Sequence, residues 1–152
     1  MGGPKPIGDE AGRGVAAGEV PSVRTVEWRD GTVELIDQRL LPRDEVYILC
    51  RSWEDVADAI RVMAVRGAPA IGVTAAMGMA LAARTALRES GGEPDRFRSL
   101  LQAATRGLGE TRPTAHNLFW ALREMGLVWD RDEVSPERIT EEMERRAKEI
   151  HA

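Results

Sequence analysis

The chain has 152 residues, of which 43% are hydrophobic and 30% are charged, and its formal net charge is −4. These values predict one domain with a sizeable core. They argue against a protein that binds nucleic acid through bulk positive charge, because its basic residues are mixed with acids throughout. The single cysteine, Cys50, excludes an internal disulfide framework and is typical of a reducing cytoplasm.

Residues 1–20 are rich in Gly and Pro and contain no secretory signal. They predict a flexible leader, because they offer little apolar surface to offset the entropy cost of ordering. The longest uncharged run, residues 67–83, is short for a membrane span and consists largely of Ala and Gly. We interpret it as a buried helix and expect no membrane association.

Residues 23–50 predict a small antiparallel β-sheet. Two partly alternating runs, 23–29 and 32–37, are joined through Asp30-Gly31, and this arrangement is a strong signal for a hairpin. A third short run, Val46-Tyr-Ile-Leu49, is also rich in residues that favour strands.

The rest of the chain predicts helices, so that residues 21–152 form one α+β domain. Five helices are expected, over residues of about 52–65, 69–88, 95–108, 113–127 and 136–151. Pro69 and Pro113 are each expected in the first turn of a helix, where the missing N–H costs nothing. Trp53, Phe119 and Trp120 are interpreted as core residues.

The last predicted helix is amphipathic. Its apolar stripe consists of Ile139, Met143, Ala147 and Ile150. Because such a helix usually leads into further structure, we expect this stripe to be exposed and the chain to self-associate.

Arg66 and Arg112 are the most informative polar residues, since each precedes a helix that has proline near its start. A helix N-terminus offers unpaired N–H groups and about half a positive charge, and an arginine adds a planar fork for phosphate or carboxylate. Gly67 would let the backbone approach a ligand closely. Two such helix starts facing each other would bind a small phosphorylated molecule. Pattern alone leaves the common alternative open, in which each arginine is solvated or paired with a nearby acid.

The other candidate residues give weaker indications of a functional site. Cys50 has neither histidine near it in sequence and is interpreted as a small, half-buried residue rather than a nucleophile. His116 and Asn117 could line a pocket, although a partly buried, hydrogen-bonded histidine is the more common case. Two histidines and one cysteine, all far apart, give no metal-ligand spacing. No catalytic set, metal or cofactor is therefore predicted for the chain.

Three stretches resemble the N-terminal part of the S-methyl-5-thioribose-1-phosphate isomerase family. They are VEWRDGTVELIDQRLLP at 26–42, VRGAPAIGVTAAMG at 65–78 and TRPTAHNLFWAL at 111–122. They occur in the family's order and spacing, and the resemblance covers residues 23–151. The wider superfamily includes ribose-1,5-bisphosphate isomerases and the regulatory subunits of the translation-initiation exchange factor.

The resemblance implies an aldose–ketose isomerisation in methionine salvage, from 5-methylthioribose 1-phosphate to 5-methylthioribulose 1-phosphate. It carries the family's substrate contacts over to Arg66, Gly67, Ala68 and Arg112. It also implies a catalytic cysteine and a catalytic aspartate in a Rossmann-like C-terminal domain, and neither motif occurs in this sequence. We therefore expect a substrate-binding N-terminal part that is inactive alone, and a homodimer for the full-length enzyme.

Two alternatives stay open from the sequence. A non-catalytic regulatory or interaction domain of the same superfamily fits the missing catalytic motifs, but such a domain does not need sugar-phosphate motifs. Ribose-1,5-bisphosphate isomerase is the other alternative. The sequence does not distinguish an enediol path from hydride transfer.

Overall fold

The computed structural model describes residues 25–151, and the leader predicted at residues 1–20 lies outside the described residues. Three strands, β1 (Val26–Arg29), β2 (Thr32–Ile36) and β3 (Tyr47–Cys50), form an antiparallel sheet in the order β1-β2-β3. The β1–β2 turn is Asp30-Gly31, and both residues have positive φ angles of 51° and 81°. This is the turn geometry that matches the right-handed twist of paired strands.

Five helices follow the sheet. They are α1 (Trp53–Arg61), α2 (Ala68–Ser90), α3 (Pro94–Gly109), α4 (His116–Trp129) and α5 (Pro136–His151). The predicted α+β class, a small antiparallel sheet followed by five helices, is confirmed. Helix α2 is central and packs against each of the other four. It is long and apolar enough to cross a membrane, but 72% of its apolar window is buried within the protein, as in a core helix.

Helix α1 ends four residues earlier than the sequence predicts. Its last turn is closed by hydrogen bonds from Met63 N to Ile60 O (3.0 Å) and from Ala64 N to Ala59 O (2.9 Å). Met63 adopts a left-handed conformation with φ of 65°, which is the usual way to end a helix. The early end leaves Ala64, Val65 and Arg66 as a short link to α2.

Helix α4 begins at His116, three residues later than predicted, and Pro113 is not in its first turn. Ala115 N donates to Arg112 O at 3.0 Å, so residues 112–115 form a β-turn. Pro113 is the second residue of that turn, where its fixed φ is favourable. A turn therefore separates Arg112 from the helix.

The prediction of an exposed stripe on the last helix is wrong. Ile139, Met143 and Ala147 are at most 2% exposed, because α5 packs against both α2 and α4. The expectation of self-association through this stripe loses its basis. The exposed large apolar side chains lie elsewhere, at Val46, Tyr47, Leu49, Val62, Met63, Trp120 and Leu127. The interpretation of Trp120 as a core residue is therefore wrong. Trp53 and Phe119 are partly buried and pack against the core.

Candidate functional site

The start of α2 is open to solvent. Arg66, Gly67 and Ala68 are all exposed. Gly67 is the N-cap residue and has φ of 91°, a conformation that residues with a Cβ rarely adopt. In the described part of the chain, a Cβ built on Gly67 would meet nothing within 4 Å beyond its chain neighbours. The space beside the Gly67 backbone is therefore free for a ligand.

The start of α4 is similarly open. Its N-cap residue is Ala115, which has no side chain able to cap the helix. Arg112 is partly buried, and no side-chain hydrogen bond or ion pair engages its guanidinium within residues 25–151. His116 is exposed, so its interpretation as a partly buried residue is wrong.

The other three helices differ from α2 and α4 at their N-termini. Side-chain oxygens of Ser52, Glu93 and Ser135 accept hydrogen bonds from the first turns of α1, α3 and α5. Each of these helices also has an acid in its first turn. Helices α2 and α4 have neither a side-chain cap nor a first-turn acid. Their N–H groups and positive dipole ends are therefore not neutralised by their own helices and favour an anion.

These two helix starts lie in direct contact. A Cβ built on Gly72, the fifth residue of α2, would lie 3.1 Å from the carbonyl oxygen of Asn117, the second residue of α4. Close approach of the Asn117 backbone explains why a glycine stands at position 72. Asn117 takes part in this contact through its carbonyl and Cβ.

Arg66 is tethered to the segment that follows β2. Its Nη2 donates to Gln38 O at 2.6 Å. The neighbouring Asp37 is buried and accepts two hydrogen bonds from the Arg39 guanidinium, at 2.9 and 2.7 Å. These hydrogen bonds hold the pKa of Asp37 below its ordinary value, and the charge of Arg66 adds to the effect. The sequence analysis missed Asp37 and Arg39, although an Asp directly after an apolar strand with an Arg two residues later is a readable signal.

Two further features of the described residues are a buried thiol and an apolar cleft. Cys50 is completely buried, and burial raises the pKa of its thiol to about 12, so it cannot act as a thiolate near neutral pH. A cleft of about 460 Å³ lies between α3 and α4, and apolar side chains such as Phe119 and Leu122 line it. Among residues 25–151, no three His, Cys, Asp or Glu side chains group closely enough to hold a metal ion.

Comparison with known proteins agrees with this architecture. A model of the initiation factor 2 subunit family matches residues 64–152, which is more than half of the chain. The chain belongs to this family. The matched residues include both helix starts and both arginines.

Curated relatives that the chain matches are named methylthioribose-1-phosphate isomerase. That from Koribacter versatilis is 48% identical over 130 residues, which are 85% of this chain and 36% of the relative. That from Pseudomonas aeruginosa is 52% identical over 103 residues, 68% of this chain and 28% of the relative. The chain thus spans about a third of the length of these curated relatives.

Two crystal structures show the same fold. The 5-methylthioribose 1-phosphate isomerase of Pyrococcus horikoshii matches with a TM-score of 0.78 and 39% identity, over 86% of this chain and 36% of that one. The delta subunit of translation initiation factor eIF-2B from A. fulgidus matches with a TM-score of 0.73 and 39% identity, over 85% and 36%. The resemblance predicted from the three sequence motifs is confirmed, and the match is to the N-terminal part of the isomerase structure.

Proposed function

We propose that this chain is the substrate-binding part of an aldose–ketose isomerase that converts 5-methylthioribose 1-phosphate to 5-methylthioribulose 1-phosphate. One observation carries the proposal: the starts of α2 and α4 touch, and both lack a side-chain cap and a first-turn acid. Each also follows an arginine. The names of the relatives supply the substrate.

The proposed site residues are Arg66, Gly67, Ala68 and Arg112. The N–H groups of the first turns and the positive ends of both helices stabilise a phosphate. Arg66 and Arg112 add charge-assisted hydrogen bonds to phosphate or hydroxyl oxygens. Gly67 lets the oxygen atoms come close to the backbone, because no Cβ fills the space beside it.

The chemical step is assigned to residues outside this chain. A sugar phosphorylated at C1 cannot open its ring as a free aldose does, so a general acid–base pair must assist opening and the transfer between C1 and C2. Cys50 is buried, and Asp37 is committed to Arg39. We therefore propose that the chain alone is inactive. The complete protein would be a cytoplasmic homodimer that needs neither nucleic acid nor membrane.

Binding is tested on the chain itself by NMR titration with 5-methylthioribose 1-phosphate. We expect the amide signals of Gly67, Ala68 and His116 to shift together, with weak affinity. Titration with ribose 1,5-bisphosphate tests the alternative substrate, which a much tighter response would favour. The absence of any shift at both helix starts would count against the proposed site.

Activity is tested after joining the chain to the remaining two-thirds of the Koribacter versatilis relative. In that protein, Arg112→Ala should lower kcat/KM at least about tenfold, since a hydrogen bond to a charged group contributes about 1.5–3 kcal/mol. Arg96→Ala is the matched control, because Arg96 lies in the first turn of α3, which Glu93 already caps. Equal kinetics for the two variants would remove Arg112 from the site.

A further inference from the structure

Asp37 is a buried acid that the proposed binding role does not use. It lies directly after β2 and is 4% exposed. Its Oδ1 accepts from the backbone N–H and from Nε of Arg39, at 3.0 and 2.9 Å, and its Oδ2 accepts from Nη2 at 2.7 Å. One carboxylate thus fixes both the backbone and the side chain of the residue two positions on. Burial of an ionised carboxylate costs free energy even when it is paired, which indicates that Asp37 has a role.

The same segment is anchored by its backbone on two sides. Asp37 N donates to Val46 O at 2.7 Å, which ties the segment to the residue before β3. Gln38 N donates to Ala64 O at 2.9 Å, two residues before Arg66. The Gln38 carbonyl then accepts from the Arg66 guanidinium at 2.6 Å. The link before α2 is therefore attached to this segment through the Ala64 backbone and through the Arg66 side chain.

We propose that Asp37 is a positioning residue, which with Arg39 fixes the Gln38 carbonyl so that the Arg66 guanidinium is held at the start of α2 before an anion binds. This inference rests on the proposed function of the helix starts. A free arginine side chain loses about 2 kcal/mol of rotamer entropy when it is fixed. Holding Arg66 in advance avoids part of that loss during binding.

Arg39 has a distinct part in this arrangement. Because its guanidinium occupies both oxygens of Asp37, the carboxylate is neutralised and does not take Arg66 as its ion-pair partner. Arg66 donates to an uncharged carbonyl instead and keeps its positive charge for a ligand. Two arginines and one aspartate leave a net positive charge beside the open start of α2.

The test is the affinity of the chain for inorganic phosphate, read from the amide signals of Gly67 and Ala68, in wild type and in Asp37→Asn. Removal of a nearby negative charge should by itself strengthen phosphate binding. Loss of positioning should weaken it about fivefold to tenfold, the range for one side chain that must be ordered on binding. The two effects have opposite signs, so the direction of the change decides.

Glu34→Gln is the matched control. Glu34 is an acid on β2 that pairs with Arg29 at 2.8 Å, so this variant removes the same charge from the strand before Asp37 without touching the 37–39 segment. We expect its phosphate affinity to equal or slightly exceed that of wild type. If the Asp37→Asn variant binds phosphate as tightly as the Glu34→Gln variant, the positioning role of Asp37 is overturned. Wild-type chain that shows no phosphate shifts at Gly67 and Ala68 overturns the proposed site itself, and the positioning role with it.

A second measurement uses only the wild-type chain, so it does not depend on whether a variant folds. The heteronuclear NOE of the Arg66 Nε–H group should approach that of the backbone in phosphate-free protein. Arg112, which makes no side-chain hydrogen bond within residues 25–151, should have a lower value. Equal mobility of the two guanidiniums would contradict the proposal.

Discussion

The two arginines look alike in sequence but are built into the protein differently. Arg66 is followed directly by the N-cap of α2, and its guanidinium is bound to Gln38. Arg112 is separated from α4 by a β-turn, and within residues 25–151 its guanidinium has no hydrogen-bond partner. The positioning that we propose for Arg66 therefore has no counterpart at Arg112 among the described residues.

This difference indicates a division of labour across the proposed site. The start of α2 has exposed backbone beside a guanidinium that is hydrogen-bonded to Gln38 O, whereas α4 starts without a side-chain cap. The two starts touch at Gly72 and Asn117, and in the proposed site they bind one small ligand together. Three changes test this comparison, from the largest effect to the smallest.

Gly72→Val should have the largest effect, because it separates the two helix starts. A Cβ at this position already lies 3.1 Å from the Asn117 carbonyl oxygen, and the two γ-methyl groups of valine have no room. Overpacking of this kind costs about 1–3 kcal/mol. Urea denaturation should show the lower stability, and the phosphate response at Ala68 should weaken as well.

Gly126→Ala is the control for Gly72→Val. It replaces a glycine within α4 at which an added Cβ would meet nothing within 4 Å among the described residues. The gain in helix propensity should raise the free energy of unfolding by about 0.5–1 kcal/mol. If both variants shifted stability in the same direction, close packing at Gly72 would not be the reason for its glycine.

The sequence predicted most of this arrangement because its signals are local. Asp30-Gly31 indicates a hairpin, and the turn between β1 and β2 does lie at these two residues. Some errors are local and concern the end of α1 and the start of α4. The largest error concerns contacts between distant parts of the chain. The apolar stripe of α5 is covered by α2 and α4, which no periodicity in 136–151 could reveal.

The candidate site was partly predictable for the same reason. Gly67 and Pro69 after Arg66 indicate a helix start, and electrostatics then indicates an anion. Pro113 after Arg112 predicts the same, although it lies in the turn before α4. Gln38 lies 28 residues before Arg66, and hydrogen bonds from Gln38 N to Ala64 O and from Arg66 Nη2 to Gln38 O join the two segments. Both bonds use backbone atoms of Gln38, so the residue type at position 38 gives no sign of them.

Gly67→Ala should have the second-largest effect on stability, and it changes the start of α2 alone. Its φ of 91° is strained for any residue with a Cβ, at a cost of about 1–2 kcal/mol. The added methyl group meets no atom within 4 Å among the described residues, so we attribute the loss to the backbone. Pro113→Ala at the other arginine should cost less, about 0.4–1 kcal/mol, because it only releases a fixed φ in a turn. Urea denaturation of the two variants side by side gives the comparison, and equal losses would show that Gly67 is not strained in solution.

Acid pH should have the smallest effect, and it should separate the two arginines again. Hydrogen bonds from Arg39 hold the pKa of Asp37 below its ordinary value, which is about 3.9 in an unfolded chain. A carboxyl group with a lower pKa in the folded state contributes stability that is complete above the unfolded value and is lost as pH falls through the folded value. The difference in urea midpoint between wild type and Asp37→Asn should therefore be constant near neutral pH and shrink below about pH 4.

Over the same range the Nε–H group of Arg66 should gain mobility, whereas that of Arg112 should not change, because no acid holds it in place within the described residues. Equal gains for both side chains would mean that general acid unfolding, rather than protonation of Asp37, releases Arg66.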